Sequence, residues 1–149
     1  MNTQTKNLEE DIIIKMKILK EISLKTDKFR EETKSLGELA VDIFSNNKAQ
    51  MKNLENIANS ALKISDVLDF IKRQTGRSKA NEQWKKNNFG NKLLNKIENE
   101  LKSERDKICQ LLTVNDDYQK LEIYLQLVRE YIRQIVIHYE FKLSFKDEK

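Results

Sequence analysis

The chain has 149 residues, no proline, three glycines and 35% charged residues, a composition poor in turn formers and rich in good helix formers, so we expect an all-α fold in one domain over residues 1–149. A single cysteine, Cys109, excludes an internal disulfide and any cysteine-based zinc site. The net charge is +4, yet the window from Lys72 to Lys86 alone carries +5, so the remainder is close to neutral and the positive charge is one patch.

Residues 7 to about 34 predict a first long helix, with Leu8, Ile12, Met16, Leu19, Ile22 and Phe29 recurring as a core-facing stripe. The N-terminal segment has acids where a secretory signal needs bases, and no apolar run approaches the roughly 18 residues of a membrane span. A cytoplasmic protein with no membrane partner is the expectation. Gly37 permits a bend, and Ser45-Asn46-Asn47 reads as a turn that caps the next helix, about residues 48–63. Ser65 and Asp66 read as a further cap, and Val67, Leu68, Phe70 and Ile71 as the apolar face of a short helix. Gly76, able to take a left-handed conformation, would end it.

The basic segment, about residues 72–90, follows as a predicted long loop between the middle helices. Lys72, Arg73, Arg77, Lys79, Lys85 and Lys86 face a single acid, Glu82, and the only tryptophan, Trp84, lies among them. Cations neutralise phosphates, flat rings stack on bases, and amides such as Gln74, Asn81, Gln83, Asn87 and Asn88 bond base edges or sugars. The pattern therefore points to RNA, contacted along its backbone with little sequence preference. Against this stands a solvated basic loop, with the Trp84 ring plugging one end of a bundle.

From Asn91 the spacing of Leu94, Ile97, Leu101, Ile108 and Leu111 predicts another helix, interrupted where Glu104 or Arg105 replaces an apolar residue. Cys109 reads as a small packing residue. Asn115 or Asp116 would cap a last helix over about residues 116–143, where Tyr118, Leu121, Leu125, Val128, Ile132, Ile135 and Tyr139 form a regular seam. Four to five principal helices result, with that seam free to pack internally or to mediate self-association or contact with another subunit.

No phosphate loop, nucleophile elbow or His/Cys metal cluster is present, so no cofactor and no metal are expected, and an enzyme is not the first reading. One pair invites catalysis. Arg133 and His138, in the string Ile-Arg-Gln-Ile-Val-Ile-His, resemble the motif of the helical HEPN ribonucleases and toxins. That resemblance implies a metal-independent ribonuclease in which the imidazole activates a ribose 2′-hydroxyl and the guanidinium steadies the phosphate. On one straight helix the two residues leave the axis about 140° apart, so they would meet only across a dimer interface or a kink.

A second resemblance covers more of the chain. The stretch Asn47-Lys-Ala-Gln-Met-Lys-Asn-Leu54 and the closing stretch from Tyr131 to Phe141 resemble segments of the small all-helical subunit of type III CRISPR effector complexes. The resemblance implies a non-catalytic subunit of a ribonucleoprotein complex in antiviral defence, assembled with other protein subunits beside a guide–target duplex. A helical scaffold without nucleic acid is the remaining reading.

Overall fold

A computed structural model describes residues 3–77 and 82–147, and all regular structure among them is helical. Six helices account for it. They are α1 (Thr3–Asp27), α2 (Arg30–Phe44), α3 (Ala49–Ser60), α4 (Ile64–Gly76), α5 (residues 89–111) and α6 (Asp117–Asp147). A 3-10 segment, Gln83–Asn88, leads into α5, and α5 itself contains a π-helical stretch, Lys96–Leu101.

Helix α6 is the axis of the molecule. Its seam residues Leu125, Val128, Ile132, Ile135 and Tyr139 are buried, and so are Ile123, Tyr124, Leu127, Tyr131 and Val136 on other sides. A helix apolar over most of its circumference belongs inside, with neighbours on several faces. Its seam is therefore covered by the chain's own packing. Exposed apolar side chains on α6 are confined to its ends, at Tyr118 and at Ile137, Phe141 and Phe145.

Helices α1 and α2 run along α6 in the same direction as successive parts of one bent rod. Gln134 Nε2 donates to the Thr26 carbonyl (3.0 Å), and Thr33 Oγ1 donates to Gln134 Oε1 (2.9 Å). Further along, Tyr131 Oη donates to Glu32 (3.0 Å) and Tyr139 Oη to the Phe44 carbonyl (2.8 Å). The bend lies between Asp27 and Arg30, not at Gly37. Gly37 is inside α2, where a Cβ would come within 2.6 Å of His138 Cβ and 2.8 Å of the Ile135 carbonyl oxygen. It is needed for close approach of two helix backbones.

Helices α3, α4 and α5 then run antiparallel in turn. Arg129 of α6 donates through Nε to the Ala58 carbonyl (2.9 Å) and through Nη2 to the Ala61 carbonyl (2.8 Å), satisfying the open end of α3. Neither Asn47 nor Ser65 and Asp66 act as caps: α3 and α4 start after Lys48 and Lys63 without a side-chain cap. Asp116 does cap α6, accepting from the Gln119 amide at 2.9 Å.

The π stretch explains the broken periodicity of α5. One wide turn shifts the buried face, so Leu93, Ile97, Leu101, Ile108 and Cys109 are inside while Leu111 is exposed. The Tyr124 hydroxyl donates to the Ile97 carbonyl within that turn (2.7 Å). Lys96 is buried there, its ammonium bonded to Glu32 (2.7 Å) and Glu100 and 4.3 Å from the Phe29 ring centroid. Glu104 sits where an apolar residue was missing and holds Lys25 of α1 at 3.2 Å.

Candidate nucleic-acid interface

The basic segment is not one irregular loop. Helix α4 continues to Gly76, and Arg77 bonds back from its amide to the Arg73 carbonyl at 3.0 Å. Gly76 does not take a left-handed conformation; among the described residues of this region the positive-φ ones are Glu82 (41°), Asn87 (52°) and Asn88 (61°). Asparagine tolerates that region better than most side chains, which suits Asn87 and Asn88 to the tight entry into α5. Gly90, instead of marking a loop end, lies on α5 against α4, where a Cβ would strike Thr75 Oγ1.

Trp84 anchors this end of the bundle and does not face solvent. Its side chain is packed at 4% exposure against Phe44, Phe70 and Phe89, with ring centroids 5.3–6.1 Å away. Its indole N–H donates to Gln50 Oε1 (2.8 Å), so the polar edge is satisfied inside. The expectation that this ring stacks on a base is therefore corrected: a ring at the centre of an aromatic cluster has no face to offer. Gln83 is also tied down, accepting from Asn47 Nδ2 at 3.0 Å and donating to the Ile43 carbonyl at 3.2 Å.

Anchoring the ring fixes the cations around it. Lys72, Arg73 and Arg77 occupy the last turn of α4 and its cap, while Lys85 and Lys86 directly follow Trp84 on the 3-10 segment. All five are exposed. The end of α4, the 3-10 segment and the start of α5 touch one another, so these bases share one end of the bundle. Lys72 leans away toward α5 and pairs with Glu98 at 3.6 Å. Lys79 lies outside the described residues. The site is thus a set of exposed bases around an aromatic plug, and the plug leaves no ring exposed among the described residues as a stacking platform.

Arg133 and His138 lie on different sides of α6, one beside α1 and the other against α2. Arg133 is exposed and bonded to Glu130 at 3.1 Å, beside a groove of about 490 Å³ between α1 and α6. His138 faces α2 at the Gly37 crossing, and its Nε2 is buried with no hydrogen-bond partner among the described residues. Burial, then the positive charges of Arg30 and Lys34, hold its imidazole below the ordinary value, which outweighs Glu38. The buried Nε2 is therefore closed to a ribose hydroxyl.

Other reactive groups read as structural. Burial pushes the Cys109 thiol up, which disfavours the thiolate. Among the described residues no group of three or more His, Cys, Asp or Glu side chains is placed to hold a metal ion, and no helix is long and apolar enough to cross a membrane. Sequence reasoning missed the buried Lys96 centre, since a lysine among Asn95, Glu98 and Glu100 looks like ordinary surface; only the turn count at the π stretch carried the signal.

In comparisons with protein families, with curated proteins and with solved structures, nothing matches this chain.

Proposed function

We propose that this protein is a non-catalytic RNA-binding subunit of a multi-protein ribonucleoprotein complex, similar in role to the small subunit of a CRISPR effector. The observation that carries the reading is the gathering of Lys72, Arg73, Arg77, Lys85 and Lys86 on one exposed end of the bundle, around a ring that packing holds still. Positive side chains on a rigid frame release counterions from a phosphate chain without needing to recognise its bases. With Trp84 and Gln83 committed to internal contacts, the preference is for backbone over sequence. Against a metal-independent ribonuclease centred on Arg133 and His138 stand the buried Nε2 of His138 and the placement of the two residues on different sides of α6.

The test is retention of single-stranded RNA of mixed sequence at low salt. Binding is expected to weaken with rising salt with a log–log slope of about −3, as four or five phosphate contacts give on a single strand. Replacing Arg77, Lys85 and Lys86 together with Glu abolishes it while the helical circular-dichroism signal stays. Affinity indifferent to salt, or unaffected by the triple replacement, removes the proposal. RNA cleavage lost in His138→Ala would transfer the function to the ribonuclease reading.

A further inference from the structure

The first helix carries an apolar surface that the chain leaves uncovered. Ile18 is the first buried residue of α1, and every described residue before it, from Thr3 to Lys17, is exposed. Lys15 stands opposite Gln119 and Glu122 at the start of α6, so the turns before it extend past the bundle. Leu8, Ile12, Met16 and Leu19 are 63%, 57%, 65% and 54% exposed. At 100° per residue these four fall within an arc of about 80°, a continuous stripe and not scattered surface residues. A helix of this length with no packed face is marginal by itself in water, so the stripe calls for a cover.

The charges beside the stripe say what covers it. On one flank lie Glu9 and Lys20; on the other lie Asp11 and Lys15. On both flanks the acid belongs to the N-terminal half of the stripe and the base to the C-terminal half. In a parallel pair of these helices, opposite flanks meet at the same level, so Glu9 would face Asp11 and Lys15 would face Lys20, like charge against like. In an antiparallel pair each flank meets its own copy, reversed. Glu9 then lies beside the partner's Lys20 and Asp11 beside the partner's Lys15, while Leu8 layers on the partner's Leu19 and Ile12 on the partner's Met16. All four layers and all four charge pairs follow from one register.

We infer that the N-terminal half of α1 is a self-association element, in which two copies of this chain pair antiparallel through Leu8, Ile12, Met16 and Leu19 about a twofold axis near residue 14. This goes beyond the RNA reading and does not depend on it. It would set two cationic bundle ends at the far extremes of one dimer, because the basic end lies at the opposite end of α6 from the projecting turns.

Sedimentation of the full chain over a range of concentrations gives the first readout, with a mass twice 17.7 kDa at the higher ones. Glu9→Lys with Asp11→Lys raises the dissociation constant at least tenfold, and adding Lys15→Glu and Lys20→Glu restores it. All four positions are exposed, so circular dichroism verifies that the fold persists in each variant. Orientation is read by oxidation: Leu8→Cys mixed with Leu19→Cys cross-links, whereas neither variant alone does, since Cys109 is buried. A monomer at every concentration, failure of the fourfold swap to restore pairing, or cross-linking of Leu8→Cys with itself overturns the inference.

Discussion

At the scale of single residues, backbone conformation and burial set clear expectations. Thr113 takes a φ of 54° where α5 ends, while the Val114 amide bonds the Cys109 carbonyl (2.8 Å) and the Thr113 amide bonds that of Gln110 (3.4 Å). That bond pattern suits glycine, and a β-branched side chain is strained in it. Thr113→Gly is therefore expected to stabilise the protein by about 1 kcal/mol, measured by urea denaturation. His138 is the only histidine, and burial and neighbouring cations favour its neutral form when folded. A folded value below the unfolded one means that the unfolded chain binds more protons as pH drops below about 6.5, and stability falls from there through the lower folded value. Thermal unfolding at pH 7.5 and pH 5.5 checks this: the melting temperature should drop in the natural chain and drop less in His138→Gln.

At the scale of elements, two helix contacts depend on features that spacing alone conceals. The α2–α6 crossing is close because Gly37 has no side chain, and the atoms it would strike are largely backbone. Gly37→Ala gains up to about 1 kcal/mol of helix propensity but forces the helices apart, and we expect a net loss of about 2 kcal/mol. The Lys96 centre joins α2, the π stretch and α6. Its ammonium is buried, whereas the carboxylates of Glu32 and Glu100 reach water. Burial and the nearby Glu32 charge push the Tyr131 hydroxyl well above its ordinary range, so it stays a donor to Glu32. Removing Glu32 strips a buried cation of a partner, while removing Lys96 lets two carboxylates return to solvent. Glu32→Ala is therefore expected to cost about 2–3 kcal/mol and Lys96→Met less than about 1 kcal/mol. Chemical denaturation of the two variants side by side measures the asymmetry.

At the scale of the whole molecule, the buried ring and the exposed bases have separable roles. Trp84→Ala leaves a large void among Phe44, Phe70 and Phe89 and should cost about 3–5 kcal/mol of stability. Under the proposed function, Trp84→Phe, which keeps most of the packing, should leave RNA affinity within about twofold, since the buried ring has no face exposed to a ligand. A larger loss of affinity in a folded Trp84→Phe variant would restore the ring to the interface. Acidification gives an independent check on how α1 is held. Burial alone would raise the Glu104 carboxyl, but bonding and charge from Lys25 and then Lys107 outweigh it and leave it below the ordinary value. Its contribution is present at neutral pH and lost as pH falls through that lowered value, which weakens the tie between α1 and α5.

Helical class, element order and the α6 seam were legible in the sequence, because a missing proline, few glycines and three–four spacing are local properties of a chain. The burial of Leu125, Val128, Ile132, Ile135 and Tyr139 follows from that spacing alone. Direction was not legible: an apolar stripe demands a cover without saying which surface supplies it. Only the tertiary structure decided that the stripe of α6 is covered by its own chain while that of α1, at Leu8, Ile12 and Met16, is not. It likewise turned Trp84 inward and left the lysines beside it outside, since an indole gains more from an aromatic cluster than from water and an ammonium does not.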